Sequence, residues 1–160
     1  MTQHSIPQFK PQVEDFEARV RDSFNRQPAM HLIGATITTV KPGFCEIALP
    51  RRAEITQQHG FVHGGIVGMI ADSAAGYAAF SLFPADATVL TVEYKLNMMA
   101  PADGERLLAR GQVTRHGRTL TVVGFDVFVE KSGKLLHCAT GISTLMCIMG
   151  RPDAPRTAAS

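Results

Sequence analysis

The residues with the clearest chemical potential lie on one apolar segment. His63-Gly64-Gly65 precedes a run rich in Ala, Met and Ile, and Asp72 is the only acidic residue between Glu54 and Asp86. If this run is a helix, the backbone N–H groups at its start are unpaired and its dipole is positive there. Such donors stabilise an oxyanion in acyl transfer, and a poorly solvated carboxylate of raised pKa acts as general base or nucleophile.

Taken singly, each of these features also has a structural interpretation. An Asp on an apolar helix is more often a hydrogen-bond acceptor or an ion-pair partner, and a Gly-Gly pair is ordinary in turns. His59 and His63 have the i, i+4 spacing of zinc ligands on a helix. Gly60 and the Gly64-Gly65 pair disfavour a continuous helix there, so we predict no metal. Only the combined order of His, Gly-Gly and Asp favours an active site.

A long central helix must carry these residues, and residues 64–83 are predicted to form it. Gly68 and Gly76 weaken it by about 1 kcal/mol each relative to Ala, which close packing of its backbone against a sheet would offset. Residues 61–83 also have the length of a membrane span, but Asp72 near the centre would cost about 2.5–3.5 kcal/mol. We therefore expect a buried helix wrapped by a sheet.

The elements around this helix are predicted to be mostly β. Apolar spacing from Val13 to Phe24 indicates an amphipathic helix that Pro28 ends. Strands are predicted at 35–40, 44–49, 88–99, 105–114, 119–130 and 135–149, with bulges or bends at Gly124 and Gly141. We therefore predict an α+β fold, an antiparallel curved sheet of about six strands wrapped round one long central helix. Residues 12–149 form this domain, and segments 1–11 and 150–160 are expected to be flexible.

Charge and cysteine content limit the other functions. The 160 residues contain 16 Lys plus Arg against 14 Asp plus Glu, and the basic residues are scattered. This distribution disfavours a general nucleic-acid binder. Three cysteines without a CxxC spacing are best explained as buried thiols in a reducing compartment, and the N-terminus lacks the pattern of a signal peptide. We therefore expect a cytoplasmic protein with neither a nucleic-acid nor a membrane partner.

A family resemblance supplies a substrate. Residues 57–65, QQHGFVHGG, followed by Asp72-Ser73-Ala74, resemble the hotdog-fold acyl-CoA thioesterases, in particular the phenylacetate-degradation type. Residues 96–104 resemble the strand end and turn of that family, and residues 115–119 resemble its next hairpin. The resemblance covers about residues 30–148 and implies hydrolysis of a CoA thioester without a cofactor.

The same resemblance implies a role for individual residues. Asp72 would attack the thioester or activate water, while the Gly64 N–H polarises the carbonyl and His63 holds the loop. Gln57, where relatives often have Asn, would place the water or the carbonyl. Thr91, where relatives often have Ser, would meet the carboxylate across a dimer. The implied assembly is a homodimer with shared sites, within a homotetramer built as a dimer of dimers. The implied residues for binding substrate and CoA are Gly65, Arg115, His116, Gly117 and Arg118.

Several alternatives stay open at this stage. A hotdog hydratase or dehydratase also handles acyl-CoA, although its Asp/His pair has a different spacing, and a non-catalytic acyl-CoA-binding protein would need no turnover. Arg115 and Arg118 either face CoA phosphates or are solvated hairpin charges. Four apolar residues either line a pocket for a medium-chain or aromatic acyl group or belong to the core: Met69, Tyr77, Phe80 and Met98.

Overall fold

The computed structural model describes residues 8–151 and 153–154. Six strands form one antiparallel sheet in the order β1-β2-β4-β5-β6-β3, and the helix α3 contacts β2 to β6. This is the predicted hotdog arrangement. The elements are α1 Phe16–Asn25, α2 Pro28–Ile33, β1 Thr36–Lys41, β2 Phe44–Pro50, a 3-10 turn Ala53–Ile55, α3 Gly64–Phe80, β3 Thr88–Met98, β4 Arg106–His116, β5 Leu120–Lys131 and β6 Lys134–Ile148.

The central helix α3 packs against the sheet through small residues. Ala71, Ala74 and Ala78 have no exposed surface. A Cβ added at Gly111 of β4 would lie 2.5 Å from the Ala74 carbonyl oxygen, so that only glycine fits at this crossing. Small residues on both elements therefore let the backbones of α3 and β4 approach closely. Of the two glycines predicted to weaken the helix, Gly68 has such a close neighbour, the Tyr94 hydroxyl, whereas a Cβ added at Gly76 would have no neighbour within 4 Å. The helix ends at Phe80 and not at residue 83, because the next residues form tighter turns before Pro84.

The N-terminal helix α1 covers the carboxyl end of α3. Arg19 donates from Nη1 to the Phe83 carbonyl at 2.9 Å and from Nη2 to the Ala87 carbonyl at 2.7 Å. Carbonyl groups beyond a helix end have no donor within the helix, and here the guanidinium of Arg19 donates to them. Pro28 was expected only to stop this helix. It also begins α2, where proline suits the first helical position, and that short helix was not predicted.

An irregularity in β3 turns two of its side chains toward α3. The register of β3 against β6 shifts between Thr91 and Glu93. Such a shift reverses which residues face the helix, so that Thr91 before it and Tyr94 after it both point inward. The register shifts of the sheet do not fall at Gly124 or Gly141, where bulges or bends were predicted. Close packing explains Gly141, where a Cβ would lie 2.1 Å from the Lys95 carbonyl oxygen.

The cysteines, the apolar helix and the chain ends can also be compared with the predictions from the sequence. The three cysteines are free and buried, as predicted. Within the part of the chain that the structure describes, no helix has the length and hydropathy needed to cross a membrane. The predicted flexible segments fall largely on residues 1–7, 152 and 155–160, which lie outside the described residues. Asp153 is described, and its carboxylate pairs with Arg26 at 2.7 Å.

Candidate active site

The first turn of α3 leaves one backbone donor open. His63 is the N-cap residue in extended conformation, and its Nδ1 accepts the Gly65 N–H at 2.9 Å. The His63 carbonyl accepts the Ile66 N–H at 2.9 Å. Among the described residues, the Gly64 N–H has no acceptor. Gly64 is therefore the free donor at the positive end of the helix, whereas the N–H of Gly65, predicted to bind substrate, is already engaged.

Gln57 begins a tight turn shortly before α3. Its N–H donates to the Phe61 carbonyl at 2.8 Å, its carbonyl accepts the Gly60 N–H at 2.9 Å, and its side-chain Oε1 accepts the His59 N–H. Gly60 has a φ of +84°, a conformation that favours glycine. The side-chain oxygen of Gln57 is thus occupied, and its NH2 group is the part left for a ligand.

The same turn separates the two histidines of the zinc alternative. His59 lies in the turn and His63 caps a helix, so they do not share a helical face. Within residues 8–151 and 153–154, no three His, Cys, Asp or Glu side chains come together as a metal site.

Asp72 is partly buried in the middle of α3. Burial raises its pKa above the ordinary value of 3.8, and a hydrogen bond from Thr91 acts in the opposite direction. The Thr91 Oγ1 donates to Asp72 Oδ1 at 2.9 Å. No salt bridge among the described residues involves this carboxylate. A desolvated carboxylate without a cation is a stronger base than an exposed one.

The position of Thr91 corrects one expectation. Its hydroxyl was expected to meet the carboxylate across a dimer, yet it reaches Asp72 of its own chain. The cause is that β3 runs beside α3, with the register shift following directly after Thr91. Thr91 therefore positions and polarises the carboxylate within one protomer.

A row of residues four apart on α3 faces β3. Gly64, Gly68 and Asp72 follow one another at this spacing and lie on one helical face. The Met98 Cε lies 2.9 Å from the place a Cβ would take at Gly64, and the Tyr94 hydroxyl lies 3.3 Å from that place at Gly68. Tyr94 was not among the residues predicted from the sequence to belong to the site. The spacing of the three helix residues was the available signal that a strand approaches there.

A cavity of about 390 Å³ opens next to Gly64. Its wall is mostly apolar and contains no charged side chain among the described residues. Of the four candidate acyl-pocket residues, Met98 lines it, whereas Tyr77 and Phe80 belong to the core and Met69 lies elsewhere on the surface. Other lining residues are Gln57, Phe61, Val67 and Cys138. Burial raises the pKa of the Cys138 thiol to about 11, which makes it a poor nucleophile.

The predicted phosphate-binding hairpin lies at the other end of α3. His116 stacks on Phe83 at 6.0 Å, just beyond the end of the helix, and burial lowers the pKa of its imidazole. Because α3 has 17 residues, its ends are about 26 Å apart. Arg115 and Arg118 are exposed and form no salt bridge with another described residue. Within the hairpin, the Gly117 N–H donates to the Leu120 carbonyl at 3.0 Å. Because the hairpin and Gly64 lie at opposite ends of α3, they do not come together within one chain.

Comparison with known proteins identifies this arrangement. The family model of the Thioesterase superfamily matches residues 59–136. An inferred esterase of Saccharolobus solfataricus is 31% identical over 105 residues, 66% of this chain and 74% of the relative. The crystal structure of a thioesterase family protein from Silicibacter pomeroyi is 48% identical, with a TM-score of 0.83, covering 84% of this chain and 99% of that one. The chain belongs to the thioesterase superfamily.

A more distant structure shares the fold of this superfamily member. The E. coli PaaI protein, from the phenylacetic acid degradation operon, has a TM-score of 0.76 at 20% identity, covering 86% of this chain and 96% of that one. Superfamily membership indicates a hydrolase. The matched segment contains the open N–H of Gly64, the carboxylate of Asp72 and the hairpin at residues 115–118. An oxyanion donor and a general base are two groups that can catalyse hydrolysis of a thioester.

Proposed function

We propose that this protein is an acyl-CoA thioesterase, which hydrolyses a CoA thioester to a free acid and CoA. The observation that carries the proposal is the carboxylate of Asp72, which is desolvated, forms no salt bridge with another described residue and accepts a hydrogen bond from Thr91. It lies on the same helix whose first N–H, that of Gly64, is open. A purely structural Asp would be expected to have a cation or backbone donors as partners.

The proposed chemistry needs only these groups and water. The thioester carbonyl oxygen accepts the Gly64 N–H, which stabilises the charge that develops on it. As general base, Asp72 takes a proton from water while the water oxygen bonds to the carbonyl carbon. Collapse of the tetrahedral intermediate breaks the C–S bond, and the CoA thiolate takes up the proton. In the nucleophilic alternative, Asp72 itself bonds to the carbonyl carbon, the C–S bond breaks and CoA leaves as a thiolate. Water then hydrolyses the resulting anhydride, which restores the Asp72 carboxylate and releases the acid, and the proton freed protonates the thiolate.

The spacing of these groups calls for two chains. Gly64 and Asp72 are eight residues apart on α3, which is about 12 Å along the helix axis. A donor and a base acting on one carbonyl must both lie within hydrogen-bond reach of it or of its attacking water, about 3 Å. We therefore propose that each active site combines Gly64 of one protomer with Asp72 of the partner subunit.

The free edge of β3 supports such a dimer. The 11 residues of β3 pair only with β6, so one side of the strand has unpaired backbone groups. Leu90 and Val92 on this strand are 55% and 52% exposed. An unpaired strand edge that also carries exposed apolar side chains is a surface for pairing with another strand. Antiparallel addition of a second β3 would extend the sheet across both protomers.

The residues on β3 fit a two-fold axis at Tyr94. With the axis there, Glu93 of each strand lies opposite Lys95 of the partner subunit, a favourable cross-strand pair of opposite charge. On the helix, Tyr94 lies over Gly68, midway between Gly64 and Asp72. The same axis therefore brings Gly64 of one protomer toward Asp72 of the partner subunit, as the chemistry requires. Assembly of two such dimers into a tetramer stays a prediction from the sequence.

Release of free thiol from a panel of acyl-CoA thioesters tests the proposed function. We expect turnover with medium-chain and aromatic thioesters, and phenylacetyl-CoA belongs on the panel because PaaI comes from a phenylacetic acid degradation operon. Binding without thiol release would contradict hydrolysis and favour a binding protein. Loss or gain of the absorbance of a 2-enoyl thioester without thiol release would favour a hydratase or dehydratase.

Replacing Thr91 with Val is expected to shift the acid limb of the pH profile upward. The Thr91 hydroxyl stabilises charged Asp72, so its removal leaves burial unopposed and raises the pKa of the carboxyl further. The base form then appears only at higher pH, and kcat/KM falls on the acid side. Measurement of kcat/KM against pH checks this.

Two control variants make the Thr91 experiment specific. Thr91→Ser keeps the hydroxyl and should retain the wild-type profile. Thr88→Val, on the same strand, removes a hydroxyl that bonds Asp153 instead and should leave the acid limb unchanged. A Thr91→Val profile that superimposes on the wild type would exclude the hydrogen bond as a determinant of the base.

Replacing Arg115 and Arg118 with Ala is expected to raise KM for acyl-CoA about tenfold with little change in kcat. Two exposed guanidinium groups on one hairpin suit the phosphates of CoA. The same acyl group on N-acetylcysteamine, which has no phosphate, should show no change in KM. Lys134→Ala, which removes an exposed charge from the β5–β6 hairpin, is the matched control. Equal effects on both thioesters would show that the arginines do not contact CoA.

A further inference from the structure

The cavity beside Gly64 differs chemically from the rest of the site. Among the described residues, the polar side chains of its lining are those of Gln57 and Cys138, and the other lining residues are apolar or glycine. Its volume of about 390 Å³ is that of a small-molecule pocket. Phe61, Val67 and Met98 contribute apolar side chains, and Cys138 contributes a thiol with a raised pKa, which is neutral.

The two halves of a CoA thioester make opposite demands on such a cavity. The CoA arm carries amides and phosphates, which need polar partners when they leave water. An apolar acyl chain needs none and gains free energy from burial. Since most of its lining side chains are apolar and no described charged side chain lines it, the cavity fits the acyl half and not the CoA half.

Resting on the proposed function, we infer that this cavity is the acyl pocket, that it selects uncharged apolar acyl groups, and that Met98 sets the room next to the thioester carbonyl. An acyl group ending in a carboxylate would bury a charge without a partner, because no cationic side chain of the described residues lines the cavity. Selection against dicarboxylic monothioesters therefore follows from the lining itself.

Met98 is the lining residue best placed to control shape at the reacting end. Its Cε lies 2.9 Å from the place a Cβ would take at Gly64, the residue whose N–H is the proposed carbonyl donor. Its side chain is 54% exposed and forms no hydrogen bond with a described residue, so it acts through shape alone. A methionine also adjusts easily to different neighbours. Shortening the Met98 side chain should therefore admit acyl groups that are bulky next to the carbonyl. Replacing it with an aromatic ring should exclude them.

The test compares acyl selectivity in Met98 variants. We expect Met98→Ala to raise the ratio of kcat/KM for phenylacetyl-CoA over hexanoyl-CoA about tenfold, and Met98→Phe to lower it by a similar factor. Met146→Ala is the control, since Met146 lies between the exposed Leu90 and Leu120 on the outer face of the sheet and does not line the cavity. An unchanged ratio in both Met98 variants, with turnover retained, would overturn the inference.

Two further measurements on the same proteins separate this inference from the proposed function. Wild-type turnover of succinyl-CoA should be at least about 100-fold below that of hexanoyl-CoA, and equal turnover would overturn the selection of uncharged groups. The rise in Tm with hexanoyl-CoA should exceed that with CoA alone, and Met98→Ala should change this difference. If both Tm results are obtained but no thiol is released, the acyl pocket is supported and the proposed hydrolysis is contradicted. If the acyl group adds nothing to Tm, the pocket itself is refuted.

Discussion

Replacing Asp72 with Asn is expected to lower kcat about 10²- to 10⁴-fold, the usual contribution of a general base. Asn has nearly the same shape, and its side-chain oxygen can still accept the Thr91 hydroxyl, so the packing of α3 should be retained. What it lacks is the ability to take a proton from water or to attack as a carboxylate. The measurement is thiol release under saturating acyl-CoA.

The stability of the same variant provides an internal check. Burial raises the native pKa of Asp72 above the ordinary 3.8, so the protonated form favours the folded state. That contribution to stability is fully present below the unfolded pKa and is lost as pH rises through the native pKa. Asn stays neutral throughout. At neutral pH the Tm of Asp72→Asn should therefore equal or exceed that of the wild type.

Asp86→Asn is the matched control, because Asp86 is exposed in the loop after α3. It should change neither kcat nor Tm. Near-wild-type kcat in Asp72→Asn would remove Asp72 from the mechanism. A large fall in Tm together with kcat would assign it a structural role instead.

Regular patterns made most of this fold predictable from the sequence. The run of Ala and Gly in α3 and the four long runs rich in Val, Thr and Leu are local signals, and they correctly predicted a sheet of six strands around one long helix. The family resemblance added the hotdog assignment. Boundaries were less predictable, because Pro28 serves both to end one helix and to begin another. The register shift beside Thr91 depends on the pairing of β3 with β6, two strands far apart in the chain, which no local pattern encodes.

The candidate site was predictable only in part for the same reason. Asp72 and Gly64 followed from an isolated acid and a Gly-Gly pair on one helix. The rest of the site depends on how β3 lies against α3, which no local pattern encodes. This packing sets the orientation of the Thr91 and Tyr94 side chains and forms the cavity beside Met98. The phosphate-binding role of the hairpin, the tetramer and a cytoplasmic location stay predictions.

Replacing Gly64 with Pro is expected to lower kcat/KM about 10²- to 10³-fold, the usual cost of losing one oxyanion donor. Gly64 is the first residue of α3, a position where proline fits, and the ψ of 136° at His63 suits a residue that precedes proline. The substitution therefore removes the open N–H while the helix can still begin there. Gly64→Ala is the matched control, since it keeps the N–H and its added Cβ meets only the flexible end of Met98. Equal losses in both variants would point to steric disturbance and not to a missing donor.

Mixing the two inactive variants tests where the groups of one site come from. If each site joins Gly64 of one protomer to Asp72 of the partner subunit, a heterodimer of Gly64→Pro and Asp72→Asn has one intact site and one doubly defective site. Random assortment makes half of the dimers heterodimers, each with half of its sites intact, so activity should recover to about a quarter of the wild type. The chains are unfolded together and refolded, and the separately refolded variants are the control. If Gly64 and Asp72 of one chain acted together, no intact site could form, and the mixture would stay as inactive as its components.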